Sequence, residues 1–154
     1  MRDFNEADKK KKQKRINVPA NPGNLSPEVL AELENVVKGS LKDGYLPCPA
    51  AWVLADEAKV PRIVIGSIAD GLGVRVVKCQ LGCFGVAKTP GKKTDYEALE
   101  SGVVAAIEGL EADDQLTCAA VFDLAKTHKL NPMVIADEIS AMGLKVHICQ
   151  LGCF

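Results

Sequence analysis

The hexapeptide Cys79-Gln80-Leu81-Gly82-Cys83-Phe84 recurs unchanged as Cys149-Gln150-Leu151-Gly152-Cys153-Phe154, at an offset of 70 residues. Carried back without a gap, the same offset pairs Cys48 with Cys118, Leu54-Ala55 with Leu124-Ala125, Val64-Ile65 with Val134-Ile135 and Gly73 with Gly143. Between residues 46–84 and 116–154, 16 of 39 positions are identical. A helical core keeps its apolar pattern with few identities, so an unbroken block of six points to a demand on specific atoms. All six cysteines stand at repeated positions, three per copy. A chain of 154 residues duplicated in this way builds two units of about 60 residues each, near the lower limit for independent folding, and each is expected to lean on the other.

The local signals repeat as well. Ser26 is placed to cap a first helix with Pro27 at its first position, where a missing N–H costs nothing. Val29, Leu30, Leu33, Val36, Val37 and Leu41 follow at three- and four-residue steps, and Asp43-Gly44 stops the run. The second copy repeats the plan with Tyr96, Leu99, Val103, Val104, Ile107 and Leu110. After an extended Leu46-Pro47-Cys48-Pro49, short helices are predicted from about Pro49 to Ala58 and from about Pro61 to Gly71. The corner at Lys59-Val60 that joins them makes a helix-turn-helix. Gly73 is expected as a left-handed cap, followed by the β-rich run Val74-Arg75-Val76-Val77-Lys78. Gly82 supplies a turn, after which Gly85-Val86-Ala87-Lys88 would return as a second strand and complete a small wing. In the second copy no residues follow Phe154 to close the wing in the same way. The predicted class is therefore mostly α with small β elements, in tandem duplicated helix-turn-helix units. The division is a flexible basic tail (1–24), repeat 1 (25–88), a linker (89–93) and repeat 2 (94–154).

Here a resemblance enters. The segment from Val60 to Val76, VPRIVIGSIADGLGVRV, resembles the small helix-turn-helix or winged-helix modules of bacterial transcription regulators. With the hexapeptide attached, it is also similar to short cysteine-containing proteins of anaerobic bacteria and archaea. The likeness covers both repeats and not the tail, and its pattern consists largely of packing positions.

Read as a DNA-binding fold, the second helix of the motif would offer Arg62 and Ser67 to base edges, with Arg75 and Lys78 reaching phosphates. Asp70 offsets part of that charge, and the second copy offers Asn131 beside Asp137 and Glu138, which would repel phosphate. Residues 1–18 hold seven cations (Arg2, Lys9, Lys10, Lys11, Lys12, Lys14, Arg15) against three acids, a net of +4. The whole chain carries −1, so the remainder sums to −5 and only the tail is basic. A sequence-independent phosphate contact through the tail and a plain solubilising arm both account for this.

The cysteines support another chemistry. Cys79 and Cys83 flank the turn at Gly82, and Cys48 precedes a helix N-terminus, where the dipole favours thiolate. With Cys48 beside the strand that leads to Cys79, each copy would present three thiolates, Cys48/Cys79/Cys83 and Cys118/Cys149/Cys153. Such a trio suits zinc with an external ligand or an iron–sulfur cluster. Two alternatives stand beside this. Unpaired cysteines also fill small apolar cores. A Cys79–Cys83 disulfide would restrict the unfolded chain by only roughly 2 kcal/mol, against about 3.7 kcal/mol for Cys48–Cys79. His147 and His128 have no counterpart in the first copy and read as packing or surface side chains.

No glycine-rich phosphate loop, His-Glu-x-x-His helix or Gly-x-Ser-x-Gly elbow is present, and neither histidine recurs with the cysteines. A non-enzymatic protein is expected. Apolar residues make up 47% and charged residues 25%, as in soluble globular proteins. No apolar run approaches the ~20 residues of a membrane span, and Met1 to Glu6 lack the apolar core of a secretory signal. The expected compartment is the cytoplasm, where thiols or metal ligands are favoured over structural disulfides. The partners these features imply are DNA, or a protein partner or second copy of the chain. The function they predict is a regulatory or binding module, with an interaction protein whose cysteines only pack as the alternative.

Overall fold

The computed structural model describes residues 18–86 and 101–154. It is mostly helical, with a small two-stranded sheet. The chain divides into two compact units: unit 1 comprises Met1–Cys79 and Gln150–Phe154, and unit 2 comprises Gln80–Cys149.

Unit 1 runs α1 (Pro27–Gly39), β1 (Leu46–Pro47), α2 (Cys48–Ala58), α3 (Arg62–Gly71) and β2 (Val76–Val77). Helix α1 starts as its sequence requires, with Ser26 accepting a bond from the Val29 amide and Pro27 in the first turn. Its apolar stripe is narrower than the periodicity suggests. Leu33 and Val37 are buried, whereas Val29 and Val36 face solvent. Helices α1, α2 and α3 pack against one another, and Val37, Ala51, Ala55, Val64 and Ile65 are fully buried among them. The corner between α2 and α3 closes at Lys59, which is left-handed (φ 54°), with the Val60 amide bonded to the Ala55 carbonyl at 3.0 Å. Gly73 (φ 70°) ends α3, and the Val74 amide reaches back to the Ala69 carbonyl at 2.8 Å. The positive φ is the reason for a glycine there.

Among the described residues the expected wing is not present. Strand β2 pairs upstream and in parallel with β1, in the register Leu46↔Val76 and Pro47↔Val77. A parallel pair needs a crossover, which α2 and α3 supply. Pro47 lacks an N–H and is tolerated because this two-stranded sheet consists only of edges. Lys78 (φ 54°) then turns the chain out of the strand, and residues 79–86 continue as turns and bends, so Gly85-Val86 is not a returning strand. Ala87-Lys88, the linker 89–93 and the start of the predicted helix at Tyr96 lie outside the described residues.

Unit 2 contains α4 (Ser101–Ala112), α5 (Cys118–His128) and α6 (Pro132–Ala141). Helix α5 packs on both α4 and α6, around Val103, Ile107, Leu116, Val121 and Ile135. The repeat is kept in the backbone. Gly44, Lys59, Gly73, Lys78 and Gly82 have positive φ, and so do Asp114, Lys129, Gly143, Ile148 and Gly152, each 70 residues on. The strand pair is reduced to a single parallel bridge, Thr117↔His147, the counterpart of Pro47↔Val77. At α6 the buried positions match those of α3, with Ile139 in the place of Ala69, except that Glu138 stands half-buried where unit 1 has buried Ile68.

Candidate functional site

The two features singled out by the sequence, the outer face of α3 and the cysteine hexapeptide, meet in unit 1. Residues 150–154 belong to this unit, and α3 is where they are held. Gly66 is buried in the middle of α3. A Cβ at this position would overlap the Leu151 carbonyl oxygen and lie 2.7 Å from its carbonyl carbon. Leu151 is itself 1% exposed. One turn earlier, the Arg62 guanidinium donates to the Gln150 side-chain oxygen at 2.6 Å. The guanidinium is held from below and from the side, with its central carbon 3.4 Å from the Trp52 ring centroid and its other terminal nitrogen 3.9 Å from an Asp56 oxygen. A guanidinium stacked on an aromatic face gives up little freedom when it makes a further bond.

The arm before α1 also meets this helix, at Ser67 and Val64. Ser67 Oγ donates to the Pro19 carbonyl at 3.1 Å and to the Ala20 carbonyl at 3.3 Å. A Cβ at Gly23 would come within 2.9 Å of the Val64 side chain. The arm is fixed by Asn21, whose amide donates to the Leu25 carbonyl at 2.8 Å and accepts from its N–H at 3.0 Å. Pro19, Ala20 and Gly23, placed in the tail by composition, thus lie against α3.

These contacts decide where the expected DNA-reading residues lie. Arg62 is committed to Trp52, Asp56 and Gln150, and Ser67 to the arm. Arg75 is half-buried beside β1, its carbonyl accepting from the Leu46 amide at 3.0 Å, while Lys78 is exposed. Lys9, Lys10, Lys11, Lys12, Lys14 and Arg15 lie outside the described residues.

The cysteines take equivalent positions in the two repeats. Cys48 and Cys118 are the first residues of α2 and α5, each 6% exposed. Cys79 and Cys149 follow the left-handed Lys78 and Ile148 and are 5% and 8% exposed. Cys83 is exposed and Cys153 half-buried, beyond Gly82 and Gly152 with φ of 68° and 69°. The expected condition that Cys48 lie beside the strand leading to Cys79 is met by the β1–β2 pairing. In unit 2 the Cys118 amide donates to the His147 carbonyl at 3.1 Å. The trios divide differently from the expected grouping, however. Unit 1 holds Cys48, Cys79 and Cys153, and unit 2 holds Cys118, Cys149 and Cys83. Among the described residues all six cysteines are thiols, and no group of three or more His, Cys, Asp and Glu is arranged to hold a metal ion. Trp52 is half-buried beneath Arg62.

Gly66 is the residue that sequence reasoning missed, and with it the part that Gln150 and Leu151 of the hexapeptide play on α3. The signal was available: the repeat keeps Gln-Leu-Gly in both copies but replaces Gly66 with Ala136 and Arg62 with Pro132. Comparison with protein-family models, curated proteins and solved structures returns no match. Among the described residues no helix is long and apolar enough to cross a membrane.

Proposed function

We propose that the protein is a non-enzymatic interaction module, in which paired helix-turn-helix-type units bind protein segments and the cysteines pack the unit cores. The observation that carries this reading is the occupation of α3. The helix that would have to enter a major groove is covered by residues 19–25 of the arm and by Gln150-Leu151. Its two base-reading candidates are engaged within the fold, and four of the six cysteines are buried. Buried thiols behave as small apolar side chains.

Fluorescence anisotropy with labelled duplex DNA tests it. Any binding should fall steeply with salt and vanish when residues 1–18 are deleted, since only the tail is basic. Salt-resistant binding that is lost in Ser67→Ala would return the protein to the DNA-reading class.

A second reading, a thiol site for zinc or an iron–sulfur cluster, is favoured by one observation. The parallel pairing that sets Cys48 near the strand before Cys79 recurs at Thr117↔His147 before Cys149. Elemental analysis of anaerobically purified protein decides between them. Metal-free, folded protein supports the packing role, whereas stoichiometric zinc or iron lost in Cys79→Ser and Cys149→Ser would establish the site.

A further inference from the structure

The segment that completes unit 1 is not continuous with the rest of it. Unit 1 runs to Cys79 and resumes at Gln150, while Cys149 and the residues before it belong to unit 2. The boundaries Cys79/Gln80 and Cys149/Gln150 are equivalent positions of the repeat. Each hexapeptide thus leaves its first cysteine with its own repeat and gives its Gln-Leu-Gly-Cys turn to the other unit. An element that completes a unit from beyond it in the chain is the kind of part that swapped dimers exchange.

We infer that the Gly66/Arg62 face of α3 is a binding site for a Gln-Leu-Gly turn, and that two copies of this protein associate by exchanging residues 150–154 through it. This inference deepens the reading of the protein as an interaction module and rests on it. The site has the parts of a specific receptor. Gly66 admits a backbone carbonyl at a distance that any side chain would forbid. Arg62, fixed by Trp52 and Asp56, reads the glutamine side chain, and the leucine is buried. Because residues 150–154 join the rest of unit 1 only through residues 80–149, the same contacts form whether the occupant comes from the same chain or from a second copy. Exchange between copies therefore sacrifices no bond at the site, and concentration decides the balance.

The test uses full-length chains. Wild-type protein refolded from denaturant at high concentration is analysed by size exclusion with light scattering, and a species of twice the monomer mass is expected. Gly66→Ala, with a broken seat and intact segment, and Leu151→Asp, with the reverse, should each lose that species. An equimolar mixture of the two, refolded together, should form a heterodimer, because the intact seat of one accepts the intact segment of the other. Trp52, the only tryptophan, should regain its wild-type emission in the mixture. If circular dichroism shows Gly66→Ala unfolded, Arg62→Ala takes its place. A wild-type chain that remains monomeric up to millimolar concentration overturns the inference, as does a dimer indifferent to Arg62→Ala and Leu151→Asp. Neither result alters the anisotropy experiment that tests the broader reading.

Discussion

The two units cap the same helices with different chemistry. In unit 2, Thr117 accepts from the Ala120 amide at 3.2 Å and Asn131 from the Met133 amide at 2.9 Å, so α5 and α6 each carry a side-chain N-cap. In unit 1 the equivalent positions are Pro47 and Pro61, and neither α2 nor α3 has a side-chain cap. Unit 1 has instead the arm across α3 and the close seat for Leu151, whereas position 136 of unit 2 is alanine. Alanine carries the Cβ that Gly66 must lack, so position 136 of α6 cannot admit a backbone carbonyl as closely as Gly66 admits that of Leu151. One plan is stabilised locally in one copy and by distant segments in the other.

The sharpest way to break this comparison is to cut each hexapeptide separately. Leu81 and Leu151 are both 1% exposed, but they belong to unit 2 and unit 1 respectively. Truncation of either to alanine should cost about 2–5 kcal/mol. The informative readout is location. Hydrogen exchange should accelerate in α2 and α3 for Leu151→Ala, and in α5 and α6 for Leu81→Ala. Acceleration in the repeat that contains the mutation would show that each turn serves its own copy.

Position 66 against position 136 comes next. Gly66→Ala forces the Leu151 backbone away and should destabilise unit 1 by about 1–3 kcal/mol. The converse change, Ala136→Gly, relieves no contact, lowers helix propensity, and should cost about 1 kcal/mol. Urea unfolding followed by Trp52 emission reads the first, and hydrogen exchange in α6 the second. Equal and small effects at both positions would remove the distinction between the seats.

Much of each unit was legible because its signals are local. The cap at Ser26, the corner at Lys59-Val60 and the left-handed Gly73 are decided by backbone preferences within a few residues, and all three stand where expected. The pairing of Val76-Val77 was misjudged because a short β-rich run has no preference between partners, and the left-handed Lys78 carries no propensity signal. The allotment of the hexapeptides was invisible for a deeper reason. The two segments are identical, and what distinguishes the helices α3 and α6 is Gly66 against Ala136 and Arg62 against Pro132, details of the receiving helix. For the same reason the cysteines could be grouped by repeat but not by unit. The contacts of α3 followed from neither charge nor periodicity, since Arg62 and Ser67 are as polar in a contact within the fold as in a groove.

The caps offer a smaller test of local against distant support. Thr117→Ala and Asn131→Ala should each cost unit 2 about 1 kcal/mol, with no change in unit 1. Placing Thr at position 47 or Asn at position 61, by Pro47→Thr or Pro61→Asn, should add a cap to unit 1, offset by the looser backbone of the unfolded chain. A gain in hydrogen-exchange protection confined to the first turn of α2 or α3 would show that unit 1 was short of caps. No gain would show that its proline starts already set those helices.

The smallest effect belongs to the first turn of α1. The Glu28 carboxyl is held below its ordinary value of 4.5, first by its own backbone N–H and then by the Ser26 hydroxyl. With the folded value depressed, the unfolded chain takes up the proton first. The contribution is therefore complete above the ordinary value and lost as pH falls through the folded one. Since Glu28 is fully exposed, solvent screens the interaction and the change should be slight. Thermal unfolding between about pH 6 and about pH 3 should show a shallower acid loss in Glu28→Gln than in wild type. Hydrogen exchange should place that difference in α1, leaving α5 and α6 unaffected. A matching change in unit 2 would mean that the two units unfold as one, so that a cap in either stabilises both.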